Sequence, residues 1–183
     1  MTAETNTLEM TGTYAFDPTH SRFGFVARHA MVTKVRGRFN EFEGGFEIDA
    51  DTPSASSAWL VIQGKSVDTN NEQRDEHIRT NDFLALDEYP EITFRSSGIE
   101  GEGEDFKVTG DLTVRGVTRE VTFDVTFLGA VLDPWGNTRI GFEGSTVIRR
   151  KDWGVSWNHA IEAGGVMVSE KVTLEFEIAA VKQ

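Results

Sequence analysis

Along most of this chain apolar and polar residues alternate one for one. Val121, Phe123, Val125 and Phe127 are separated by Thr122, Asp124 and Thr126, and Val172, Leu174, Phe176 and Ile178 by Thr173, Glu175 and Glu177. Successive side chains of a strand point to opposite faces, so each run predicts a strand with one apolar and one wetted face. Ile92 and Phe94 start another such run, and Val108, Leu112 and Val114 follow a turn expected over residues 98–105. Near the start, Tyr14 and Phe16 lead into Asp17-Pro18-Thr19, a turn because proline presets φ and Asp bonds its own main chain. The next strand carries Phe23, Phe25, Ala27 and His29 on the face expected to be buried and Arg22, Gly24, Val26 and Arg28 on the other. The stretch around Trp59, Leu60, Val61 and Ile62 is apolar on both faces. That predicts a strand covered twice, by the segment that follows it or by a second subunit.

Residues 66–90 break the alternation and hold the one helical passage. Thr69 with Glu72 reads as a capping box, which places a helix start near Asn70 and runs it through Ile78. With Ile78 its one large apolar side chain, this helix has almost nothing to bury and reads as a lid. Asp82 is then expected to cap a single helical turn carrying Phe83, Leu84 and Leu86, stopped by Pro90. Gly37 and Gly44-Gly45 interrupt the aromatic positions Phe39, Phe42 and Phe46, and glycines inside strands mark bulges where a sheet coils. The expected fold is all-β: an antiparallel barrel of about eight to ten strands with one short helix and a helical turn between strands. Residues 1–11 read as a flexible arm and residues 12–183 as a single domain.

Composition narrows the chemistry. The chain has no cysteine, which removes disulfides, thiol catalysis and thiolate metal sites together. Asp and Glu outnumber Lys and Arg by 30 to 18, and a net charge of −12 repels nucleic acid and anionic surfaces. No apolar run reaches the ~18 residues of a membrane helix, and the first residues lack the pattern of a secretory leader. The expectation is a soluble, cytoplasmic protein without stable membrane insertion, or a periplasmic or secreted one whose leader has been removed.

The four histidines do not make a metal site by spacing. His20 and His29 are nine residues apart and face opposite ways on one strand, while His77 and His159 lie far away in sequence. Asp17, His20 and Ser21 contain triad residue types, but neighbours on a strand diverge. No glycine-rich nucleotide loop is present, so no cofactor and no metal are expected. Arg36 and Arg38 share a strand face, and Arg149-Arg150-Lys151 is a basic triplet. The plainer reading is charge that protects edge strands; the sharper one is a receptor for an anionic head group.

Thirteen Phe and four Trp, most of the Phe at inward positions, either fill the barrel or line it. Strands of eight to ten residues are ~26 to 34 Å long, enough for a tunnel that takes one extended hydrocarbon chain. The expected tunnel wall is Phe23 and Phe25; Leu60 and Ile62; Phe83 and Leu84 from the segment after the helix; Ile92, Phe94 and Leu112; Val121, Phe123, Val125 and Phe127; and Phe142, Leu174 and Phe176. His29, Arg74, His77, Arg149 and Arg150 are the candidates for head-group or lid contacts.

The motifs DPTHSRFGFVARHAMVTKVRGRFNEFEGGF, SVDTNNEQRDEHIRTNDFLALDEYPEITFRSS, VTGDLTVRGVTREVTF, DPWG, RKDWGVSWN and VTLEFEI, in this order over residues 12–181, resemble the YceI-like family. His20, Ser21, His29, Asp68, Arg74, Asp75, His77, Asp82, Phe83, Tyr89 and Pro90 match its pattern. The resemblance implies a lipocalin-like barrel that binds polyisoprenoid or related long-chain amphiphiles, such as isoprenoid quinones, without established catalysis. Two rival readings stand beside it. One is an enzyme acting on such a lipid with His77 or His29 as acid/base; the other is a homodimer with a packed interior, joined through the strand of Trp59.

Overall fold

The computed structural model describes residues 9–161 and 165–183. Among the described residues eleven strands form one antiparallel sheet: β1 Gly12–Phe16, β2 Arg22–His29, β3 Thr33–Phe39, β4 Phe42–Ile48, β5 Ser57–Gln63, β6 Val67–Asp68, β7 Glu91–Glu102, β8 Asp105–Val114, β9 Val117–Leu132, β10 Thr138–Arg149 and β11 Lys171–Lys182. Eight of them close into a barrel in the order β1-β4-β5-β7-β8-β9-β10-β11, with β11 returning to β1. The other three prolong it. β2 continues the line of β1 along β11, β3 pairs β2, and β6 pairs the end of β3. Closure satisfies the edges that an open sheet would leave unpaired.

Alternation predicted the inward rows well. Phe123, Val125, Ile140 and Ile178 are buried, and so are Tyr14, Phe16 and Phe23 from the first strands. The glycines work differently from the expectation. Neither Gly37 nor Gly44 sits at a bulge; a Cβ at Gly37 would collide with the ring of Phe25, and one at Gly44 with the ring of Phe16. They are flat places on which aromatic rings lie across the strands. The bulges fall instead at Ser97 on β7, between Ser96 and Gly98, and at Leu128 on β9, opposite the Gly141/Phe142 step of β10. Gly98 therefore lies inside β7, and the hairpin turns later, at Gly103-Glu104.

The segment between β6 and β7 also differs in detail. Helix α1 is Glu72–Arg79, capped by Asn71, whose side chain accepts from the backbone N–H of Arg74 at 2.9 Å. Thr69 is buried and its hydroxyl donates to Asp75 at 2.6 Å rather than capping the helix. Asn71 stands three residues before Arg74 and outcompetes Thr69, since Asn is among the best N-cap residues. Residues 81–84 form turns and no helix. Asp82 bonds His77, and the N–H of Phe83 donates to the carbonyl of Thr80. The outer face of β5 is not covered by α1, which lies against β6; Trp59 remains 39% exposed. Of the expected N-terminal arm, residues 1–8 lie outside the described residues. Met10 is tied down, its carbonyl accepting from the Tyr14 hydroxyl at 2.8 Å.

Candidate functional site

The barrel is not filled. A cavity of about 1240 Å³ runs along its axis, larger than the ~300–1,000 Å³ of ordinary small-molecule sites. Its middle is aromatic. Phe23, Phe123 and Phe176 meet at ring-centroid distances of 5.5–6.2 Å, and Phe46, Phe142 and Phe127 form a second string at 5.2–5.3 Å. Of the expected tunnel wall, every residue except Val121 lines this cavity. Val121 points inward but is 8% exposed within the packed core, where β9 lies against Gly110 of β8.

The two ends differ in charge. At the α1 end the lining includes Arg28, His29, Arg74, His77 and Arg150, with Asn71 and Gln73. At the far end it includes Asp49, Asp51 and Glu102. Glu175 is also near the cavity, but it alternates outward on β11 and faces Arg36 at 3.8 Å.

Arg150 is the organiser of the α1 end. It follows the last inward residue of β10 and is 5% exposed. Its guanidinium donates to four carbonyls, those of Ser169 (2.8 Å), Val155 (2.8 Å), Trp157 (2.9 Å) and Val168 (3.3 Å). These bonds draw the two limbs of the β10–β11 connection over the barrel mouth. Among the described residues no carboxylate lies within ion-pair distance of it, and burial lowers its pKa from the ordinary value while Glu170 raises it. The expected basic triplet is therefore split three ways. Arg149 is exposed on the outer face opposite Lys171 and makes no approach to the cavity; Arg150 points in; Lys151 pairs with Glu170. Strand alternation separates neighbours, which is why a run of basic residues was a poor guide.

Helix α1 supplies the rest of that end. Arg74 donates from Nε to the Thr69 hydroxyl at 2.7 Å, and buried Asp75 accepts from the Thr69 amide at 2.9 Å. His77 Nε2 lies 2.8 Å from Asp82, and its ring sits edge-on to Phe83 and Trp157 at 5.0 and 4.7 Å. Arg115, in the β8–β9 turn, donates to the carbonyls of Asn81 and Phe83 and clamps the following loop. Arg115 had no local sequence signal, because its partners lie more than thirty positions away. His20 bonds Asp17 rather than Ser21, whose hydroxyl donates to the carbonyl of Ala179; the three make no triad. No cluster of metal-ligating side chains occurs among the described residues.

A closed antiparallel barrel around a long, mostly apolar cavity, cationic at one end and acidic at the other, defines a lipocalin-like barrel. A profile of the YceI-like domain matches residues 14–180, and the chain belongs to that family. It is 41% identical over 136 residues to a UPF0312 protein of Pseudomonas paraeruginosa, covering 74% of this chain and 71% of that one. It is 37% identical over 163 residues to a UPF0312 protein of Staphylococcus aureus, covering 88% and 93%. Among solved structures, Burkholderia cenocepacia BcnA is similar with a TM-score of 0.79 at 24% identity, covering 90% of this chain and 98% of that one. A polyisoprenoid binding domain from Saccharophagus degradans superposes with a TM-score of 0.68 at 20% identity, covering 93% and 98%.

Proposed function

We propose that this protein binds one long-chain isoprenoid-type lipid, a polyprenyl phosphate or an isoprenoid quinone, and carries or stores it with the tail in the barrel. The observation that carries the reading is the aromatic cavity of about 1240 Å³ along the barrel axis. A neighbour of the same fold, the Saccharophagus degradans domain, is named for polyisoprenoid binding. Magnitudes favour a long tail. Each buried CH₂ contributes about 0.8 kcal/mol, while association costs about 4–15 kcal/mol, so burial of about 5 to 19 carbons offsets that cost and a tail of roughly twenty exceeds it across the range. The charge asymmetry sets the direction. A phosphate or other electron-rich head group belongs among Arg74, His77 and Arg150, and the tail points toward Asp49 and Glu102.

In this reading His77 is a wall residue, held by Asp82 and two aromatic rings, and the site binds without chemistry. The test is a titration with polyprenyl phosphate followed by the fluorescence of the cavity residues Trp153 and Trp157. Saturable quenching or enhancement at one ligand per chain supports the proposal. No saturable response, with the protein folded, overturns it. Turnover of the lipid that disappears in His77→Ala while binding persists would replace it with the catalytic reading.

A further inference from the structure

The β2–β3 hairpin is built against its own stability at the mouth of the tunnel. Between Asp17 and Glu41 the chain has five basic residues, Arg22, Arg28, Lys34, Arg36 and Arg38, and no acidic one, in a protein of net charge −12. All five take the outward register positions, alternating with Phe23, Phe25, Val35 and Phe39 on the inner face, and Arg28, at the end of its strand, also reaches the rim of the cavity. Toward the barrel waist this charge is answered, by Glu175 facing Arg36 and by Asp68 at 3.7 Å from Arg38. Toward the tip, Arg28 stands directly opposite Lys34, and like charges opposite each other on a sheet destabilise it.

The tip itself is strained and apolar. Ala30 and Met31 have φ of 50° and 62°, and the Val32 amide donates to the His29 carbonyl at 3.0 Å. Positive φ at both central residues is the type I′ pattern that Asn-Gly fills at least cost. The β8–β9 hairpin shows the usual solution, with glycine at its second turn position in Arg115-Gly116. Here Met31 and Val32 are 55% and 74% exposed, and the tip hydrogen-bonds Met167 and bridges Val168, which line the cavity. Stability would be served by Asn-Gly and a carboxylate at this place; the chain has a strained apolar tip and, among the described residues, no carboxylate paired with Arg28 or Lys34.

We infer that the β2–β3 hairpin tip is a docking element for a lipid bilayer carrying anionic head groups, touching down with Met31 and Val32 while Arg28 and Lys34 meet phosphate. The occupant follows from charge complementarity and from continuity with the mouth of a cavity whose ligand is membrane-borne, so this inference rests in part on the proposed lipid function. The net charge of −12 does not oppose it at contact range, since ionic screening at physiological salt confines each charge to about 8 Å. The other exposed tip, at Trp135 on the β9–β10 hairpin, is 80% exposed but lacks this electrostatic character. Its charges, Asp133, Arg139 and Asp17, bond one another.

Co-sedimentation with vesicles of phosphatidylcholine mixed with phosphatidylglycerol, against pure phosphatidylcholine, tests the inference. The full chain should partition onto the mixed vesicles and be released by salt. Lys34→Glu should weaken partitioning roughly tenfold. The double variant Ala30→Asn with Met31→Gly should lose partitioning yet melt about 2–4 °C higher, because it relieves the turn. Trp135→Ala should partition as the parent does. Equal binding to both vesicle types, no binding to either, or binding that the hairpin variants leave unchanged overturns the inference. So does a shift of the double variant from dimer to monomer in size-exclusion chromatography, which would make the tip a contact between copies. The tryptophan titration, run without vesicles, reports the tunnel separately: loss of docking with an intact titration fails this inference alone.

Discussion

The two ends of the cavity are made by different means. At the far end the wall is the barrel itself, strand ends such as Ile48 and Glu102 meeting short loops, with acidic residues at the rim. At the α1 end the strands stop short, and the opening is closed by α1 and by the β10–β11 connection, held through Arg150, Asp75 and Arg115. One end is therefore as stable as the sheet. The other is a set of polar contacts between distant segments, and such assemblies open locally at less cost than the whole fold. A ligand that must enter and leave passes most readily where closure depends on side-chain hydrogen bonds.

The largest effect should come from breaking what both ends share. Phe176→Asp places a carboxylate in the aromatic middle of the cavity, and lipid retention should be abolished; normal retention in a folded variant, read by organic extraction, would refute the tunnel. Next is Arg150→Leu, which leaves four carbonyls without their donor and should cost about 3 kcal/mol or more in denaturant unfolding. Its effect belongs to the α1 end alone, so amide exchange should rise around residues 155–159 and 166–169 and stay unchanged in β7–β9. Asp75→Ala strips the Thr69 amide and hydroxyl of their acceptor. A loss of about 1–3 kcal/mol is expected, with faster exchange at Thr69.

The smallest effect lies at the far end. Burial alone would raise Asp133, but hydrogen bonds from the Asn137 and Trp135 backbone and from Arg139 outweigh it and lower its pKa to about 2. A carboxylate with a depressed native pKa stabilises the fold above its unfolded value, about 3.9, and that contribution fades as pH falls toward 2. Thermal melts should therefore decline between about pH 4 and pH 2, and Asp133→Asn should flatten that decline while melting slightly lower at neutral pH. Binding of the lipid should not change, since Asp133 does not line the cavity.

The same contrast explains what was legible in the sequence. Inward rows such as Phe123, Val125 and Phe127 follow from a period of two, a local property, and nearly all of them line the cavity. Val121 has the same period but lies where the wall is already packed, which depends on depth along the barrel rather than on alternation. The α1 end was only half legible. Arg74 and His77, both candidates, line the cavity there, but Arg149 and Arg150 look alike as neighbours, and only the end of β10 distinguishes an exposed Arg149 from a buried Arg150. The capping signal was placed two residues early because Thr69 and Asn71 both carry cap-forming side chains. Thr69 is taken out of that competition by Asp75, a tertiary fact about burial.

The central claim is that the barrel holds a long lipid tail in one orientation. Native mass spectrometry of the protein loaded with polyprenyl phosphate tests it most directly, with Arg74→Ala as the comparison. The account predicts one bound lipid per folded chain, and a weaker complex in the variant because the head group loses a cation at the α1 end. A chain that stays at its bare mass after loading would contradict it.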